Sequence, residues 1–198
     1  MYSIIKNILS TDSINMVLDY AKNAKFNTKE DHIPLHDPLF SNPNVNFDLI
    51  TYGDLNKEIV DEFIKICNKI KEETSRITGI KYDEPILGKS YIARFNTKTN
   101  PLQGYDSSRP AKTYTSIFIW GDDYQGAEFI INNNNYKLNS GDCLVIPESN
   151  EYSRNVTELI SGTMFVSQFW NAPSGTSPYP GLDYKDIYWG NPLYDKMG

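Results

Sequence analysis

Apolar spacing divides the chain into a helical opening and a longer β-rich remainder. Residues 2–8 carry Ile4, Ile5 and Ile8 and predict a short strand. Ser10, Thr11 and Asp12 follow with side-chain oxygens suited to an N-cap, and the helix they start is expected to run to about Asn23. Residues 24–53 hold Pro34, Pro38 and Pro43 among Asn and Asp, which is loop chemistry, with one short strand predicted at 47–51. Next comes the clearest helix, with Asp54 as its expected cap. Leu55, Ile59, Phe63, Ile66, Ile70 and Ile77 recur at steps of three, four or seven, a stripe for packing on a sheet. Lys57, Asp61, Lys65, Lys69 and Glu72 make the opposite, solvated face.

From residue 86 the pattern changes to short strands. Segments 86–95, 112–120, 127–132, 142–146, 152–157 and 163–170 read as strands separated by Gly, Asn, Asp and Ser. Residues 132–135 predict a polar hairpin turn, and Gly121-Asp122-Asp123 a second one. Many short strands after two helices predict a mainly β fold with flanking helices (α+β), a jelly roll with the N-terminal helices packed on one face. The 198 residues suffice for one such domain, placed at 1–170. Residues 171–198 contain four prolines, Trp189 and several tyrosines without periodicity. They are expected to form an arm packed on the domain or on a partner, because so aromatic a segment is poorly served by water.

Charge and composition narrow the function. A formal net charge of -6, with no Lys/Arg cluster, argues against a nucleic-acid binder, since phosphate contacts need a basic surface. No apolar run is long enough for a membrane span, and the first ten residues lack a secretory pattern. Cys67 and Cys143 lie in apolar-periodic segments and read as buried free thiols in a reducing compartment. The aromatic share of 13%, much of it Tyr, suits interfaces as well as half-buried strands. Protein partners or a second copy of the chain are therefore expected, in the cytoplasm.

Five pieces then occur in a suggestive order: Arg94-Phe95, Gly104-Tyr105-Asp106, residues 122–129 (Asp-Asp-Tyr-Gln-Gly-Ala-Glu-Phe), residues 141–147 (Gly-Asp-Cys-Leu-Val-Ile-Pro), and Arg154-Asn155-Val156-Thr157 followed by Ser161-Gly162-Thr163-Met164-Phe165. Their order and spacing resemble the prolyl-4-hydroxylase-like branch of the iron- and 2-oxoglutarate-dependent dioxygenases. The resemblance covers about half the chain strongly and implies a double-stranded β-helix. It also implies an iron site of two His and one carboxylate, and a basic residue that anchors 2-oxoglutarate.

Here the chain departs from the family. Gly104 stands at the place of the first His and Arg154 at that of the distal His; neither offers a lone pair to a metal. Asp106 alone of the triad is kept. Met164 occupies the 2-oxoglutarate anchor position. The chain's two histidines, His32 and His36, fall between prolines ahead of the barrel strands and read as loop residues. Glu148 and Glu151 could join Asp106 in a Ca²⁺ or Mg²⁺ site, but no acidic loop motif orders them, and solvated loop acids are the favoured reading. Arg154 is expected either to pair with Asp106, its guanidinium replacing the charge of the metal, or to point to solvent while Asp106 caps a turn.

The leading expectation is a non-catalytic dioxygenase-fold protein, a structural or binding module without a cofactor, and by the family's occurrence in phages a tail or decoration component of a virion. One alternative is an active oxygenase that uses Fe(II) and 2-oxoglutarate to hydroxylate a protein or peptide side chain. Another is a metal-free jelly roll binding a sugar or other small molecule in a pocket lined by Tyr91, Arg94, Tyr105, Tyr114, Trp120 and Arg154.

Overall fold

The helices begin where side-chain oxygens meet orphan backbone N–H groups. In the computed structural model, which describes residues 2–28, 48–51, 54–82, 91–96, 113–147, 149, 152, 154–171 and 173, helix α1 spans Thr11–Asn23. Ser10 caps it, its hydroxyl accepting from Ser13 N at 3.1 Å. Helix α2 spans Lys57–Thr78, and its cap is Asn56 rather than Asp54. The cap must present an oxygen to the N–H three residues on, and Asn56 Oδ1 accepts from Ile59 N at 2.9 Å. Asp54 instead lends its carbonyl to the Tyr20 hydroxyl, at 3.1 Å. Gly79 ends α2 at φ 69, in the left-handed region that glycine enters without strain.

The strands are β1 (Ser3–Ile5), β2 (Asn27–Thr28), β3 (Asp48–Thr51), β4 (Tyr91–Phe95), β5 (Tyr114–Trp120), β6 (Tyr124–Gly126), β7 (Phe129–Ile131), β8 (Asn134–Tyr136), β9 (Cys143–Pro147), β10 (Arg154–Val156), β11 (Leu159–Gly162) and β12 (Met164–Asn171). The main sheet has the order β1-β9-β5-β12-β4-β3-β2; opposite it lie β10-β7-β8 and β11-β6. All the pairings are antiparallel. This is the mainly β jelly roll with helices on one face that the strand pattern predicts.

The central strands β9, β5, β12 and β4 serve two cores, because successive side chains point to opposite faces. Inside the roll, Ala93, Phe95, Ile117, Ile119, Leu144, Ile146, Met164 and Val166 meet Phe129, Ile131, Val156 and Leu159 of the smaller sheets. On the outer face, Ile92, Phe118, Trp120, Val145, Phe165 and Phe169 meet Val17, Ile59, Phe63, Ile66 and Ile70 of the helices. Of the stripe read from the sequence, Leu55, Ile59, Phe63, Ile66 and Ile70 pack here, whereas Ile77 is only half-buried and lies outside this core. Cys67 and Cys143 lie in this outer core as buried free thiols, and burial pushes both up from the ordinary thiol pKa.

Three short strands escape the sequence pattern. β6, β8 and β11 have only three or four residues, too few to show a period. The segment 132–135 is a turn only at Asn132 and Asn133, with φ of 49 and 63; Asn134 already belongs to β8. The first strand stops at Ile5, short of the predicted residue 8. Backbone proximity sets the β6–β11 pair: a Cβ on Gly162 would stand 2.1 Å from Asp123 O, at φ +83. Among the described residues no helix is long and apolar enough to cross a membrane.

Candidate functional site

Strand parity assigns the predicted site residues to faces, and it overturns part of the expected pocket. Tyr114 and Trp120 share the outer face of β5 with Phe118, because Ile117 and Ile119 take the inner one. Trp120 stacks on Phe63 of α2, with ring centroids 5.8 Å apart and planes 8° from parallel, and its Nε1 donates to Ser167 Oγ at 2.7 Å. Tyr114 meets Tyr82 edge-on at 6.1 Å, and burial raises its hydroxyl pKa. Arg94 also faces outward: its Nε and Nη2 donate to Asp48 Oδ2 at 3.1 and 2.6 Å, and its guanidinium lies 4.3 Å above the Phe26 ring. These three residues fasten the helices and β3 to the sheet. They do not line the roll.

Tyr91 shares a register face with Ala93 and Phe95, but its side chain lies outside the described residues. Gly104, Tyr105, Asp106, His32, His36, Glu148 and Glu151 lie outside them as well. Arg154 begins β10 in register with Ile131, a residue of the inner core. Its side chain is outside the described set, so the proposed Arg154–Asp106 pair is neither made nor broken here.

Met164 is placed where the resemblance puts the co-substrate anchor. It starts β12 opposite Phe95, is fully buried, and belongs to the inner core. The inward positions that follow are Val166 and Gln168.

Gln168 is the residue the sequence reading missed. It pairs in register with Ile117, an inner-core residue, and is 0% exposed. Neither its Nε2 nor its Oε1 has a hydrogen-bond partner. Each unmade buried bond costs about 1–3 kcal/mol, so such a carboxamide is conspicuous in an aliphatic wall. Thr115 next along the wall is buried, and so is Thr113 two residues before it, whose hydroxyl is also unpartnered. The inner face therefore grades from apolar at Met164 and Ile119 to polar at Gln168, Thr115 and Thr113. This polarity rises towards the sheet end where β9 leaves for β10. The signal was present in Met164-Phe165-Val166-Ser167-Gln168, where a Gln falls on the same alternate positions as Met and Val.

A tyrosine cluster was also missed. Tyr2 meets Tyr136 and Tyr152 edge-on at 5.6 and 6.3 Å, its hydroxyl bonds that of Tyr136, and all three pack against the inner core. Tyr2 and Tyr152 lie at or beyond the strand ends, where periodicity says nothing. A cleft of about 430 Å³ opens elsewhere, outside the roll, between Lys22 of α1 and Asn96, Asp123 and Thr163 at the strand ends. Its cations are engaged: Arg94 by Asp48, and Lys22 by Asp123 at 3.8 Å.

No protein-family model matches the sequence, and no curated protein does. Solved structures match over most of their length. A prolyl hydroxylase from Trichoplax adhaerens, solved with a peptide fragment of the hypoxia inducible factor oxygen degradation domain, superposes with a TM-score of 0.65 at 12% identity, covering 87% of this chain and 83% of that one. The viral collagen prolyl hydroxylase of Paramecium Bursaria Chlorella virus-1, solved with 2OG, gives 0.58 at 13%, covering 86% and 94%. HygX from Streptomyces hygroscopicus, with nickel and 2-oxoglutarate bound, gives 0.63 at 9%, covering 95% and 89%. The chain has the double-stranded β-helix fold of these 2-oxoglutarate oxygenases.

That fold implies an iron ion and 2-oxoglutarate, and among the described residues the inward positions of β12 do not fit the second. The inward positions Met164, Val166 and Gln168 of β12 offer no cation to a carboxylate, and a thioether cannot supply one.

Proposed function

We propose that this chain is a binding module that uses the double-stranded β-helix without iron and 2-oxoglutarate chemistry. The observation that carries this is the inner wall of β12. Met164, which the resemblance puts at the anchor place, is buried, and the inward positions Met164, Val166 and Gln168 offer no charge to a dicarboxylate. Arg154 at the distal-His place supports the same reading, because guanidinium has no lone pair to give a metal.

The deciding experiment is calorimetric titration of the metal-stripped protein with Mn²⁺ and 2-oxoglutarate. The expected result is no binding of either up to millimolar concentration. Micromolar binding of both, lost in Asp106→Ala, would mean that the chain is an oxygenase.

That oxygenase is the second reading, and one observation favours it: the similar solved structures are prolyl hydroxylases and related oxygenases, one of them holding a peptide. It would act on a protein or peptide side chain and would need metal ligands beyond Asp106. The virion role draws nothing from the fold and remains tied to the proposed arm at 171–198. A chain ending at residue 173 that still assembles with the same partners would remove it.

A further inference from the structure

We propose that Gln168 is the recognition group of a ligand site inside the roll, and that the site takes a small neutral molecule bearing a carboxamide or lactam. This rests on the reading of the chain as a metal-independent binding module and names what it binds.

The argument starts from where polar atoms are left unpaired. Among the described residues these are Thr74 Oγ1 on α2, Thr113 Oγ1, and both amide atoms of Gln168. A hydroxyl is one rotatable group, whereas Gln168 leaves a donor and an acceptor side by side with nothing to meet either. Its neighbours on the other face of the same strand are served: Ser167 accepts from Trp120, and Asn171 donates to Ser116 Oγ at 2.8 Å. Native structures rarely leave a buried carboxamide unpaired, and a Leu or Met would fill this wall at lower cost. A Gln here is therefore explained by a partner from outside the protein.

The surroundings select that partner. The wall around Gln168 is formed by Ile117, Val166, Leu144 and Ile146, so most of the ligand is apolar. The inward positions Met164, Val166 and Gln168 of β12 bring no charge to this wall, which favours a neutral group beside the amide. A carboxamide presents N–H and C=O in one plane, and its complement is another amide edge, which pairs with it through two hydrogen bonds. A carboxylate could satisfy only the donor and would leave Oε1 facing negative charge.

The test uses the intact, isotope-labelled chain and follows the Gln168 side-chain NH₂ resonance, assigned by its absence in Gln168→Met. The probes are benzamide and 2-pyrrolidinone, with benzoate and glutarate as charged counterparts. Benzamide or 2-pyrrolidinone should shift that resonance with saturation in the millimolar range, and the acids should not. Gln168→Met should bind the amides at least about tenfold more weakly and melt roughly 2–4 °C higher, because it removes an unpaired polar group. Gln168→Leu should behave alike, and unchanged backbone resonances show that either variant folds.

Failure of both amides to shift the resonance, or equal binding by Gln168→Met, would overturn the site while leaving the binding-module reading intact. A lower melting temperature in both variants would also overturn it, since an ordered water would then complete the amide. Binding of Mn²⁺ together with 2-oxoglutarate would instead remove the reading on which the site depends.

Discussion

The two faces of the main sheet are built from the same strands and have opposite characters. The outer face is aromatic and closed. Trp120 stacks on Phe63, Phe169 and Phe118 approach at 5.0 Å, and the buried polar groups Trp120 Nε1, Ser167, Ser116 and Asn171 are joined in pairs. The inner face is mostly aliphatic and ends in the unpaired amide of Gln168. Residues 167 and 168 are adjacent and equally buried, yet one is satisfied and the other is not. The difference separates two tasks. Satisfied polar atoms and stacked rings hold the helices on the sheet, whereas an unsatisfied amide costs stability and is explained by a ligand.

The comparison can be broken most forcefully at Phe63. It is fully buried between Trp120 and Phe169, so Phe63→Ala should cost about 3–5 kcal/mol in a denaturant titration. A loss below about 1 kcal/mol would mean that the helix layer is not held by this contact. A smaller effect of the same sign is expected for Ser167→Ala, about 1–3 kcal/mol, because Trp120 Nε1 is then left buried without an acceptor. On the next residue the sign should reverse: Gln168→Met should raise stability by about 1 kcal/mol. If both substitutions destabilise equally, the two faces are not different in the way described.

Alkaline titration compares the two layers with the least perturbation. Tyr124 of the inner core and Tyr82, packed against Tyr114, are both pushed up to about 12 by burial. The unfolded chain releases these protons near the ordinary value of 10, so the folded state holds them more tightly. Their contribution is therefore complete below pH 10 and is lost as pH rises towards 12. Melting temperature should fall across that window, less steeply in Tyr124→Phe, whose hydroxyl no longer donates to Leu138 O. The thiols give the smallest signal: Cys67 and Cys143 should resist alkylation at pH 8 until the protein is unfolded, because both are buried and held protonated.

Much of this architecture was legible from spacing. Ser10 as a cap, the α2 stripe from Leu55 to Ile70, and the strands around 114–120, 143–147 and 164–171 follow from periodicity and capping chemistry, which act over a few residues. The identity of both helices and of the longer strands, the α+β jelly roll and the absence of charge at Met164 were therefore determined by the sequence. Which face each strand residue takes was decided only by tertiary structure. Parity says that Tyr114, Phe118 and Trp120 lie together, but not whether they face the helices or the inside of the roll; either face could bury aromatics. Packing against Phe63 resolved it, moving Trp120, Tyr114 and Arg94 out of the expected pocket. The same choice turned Gln168 inward, because a side chain's missing partner is defined by its neighbours in space, and those come from strands far apart along the chain.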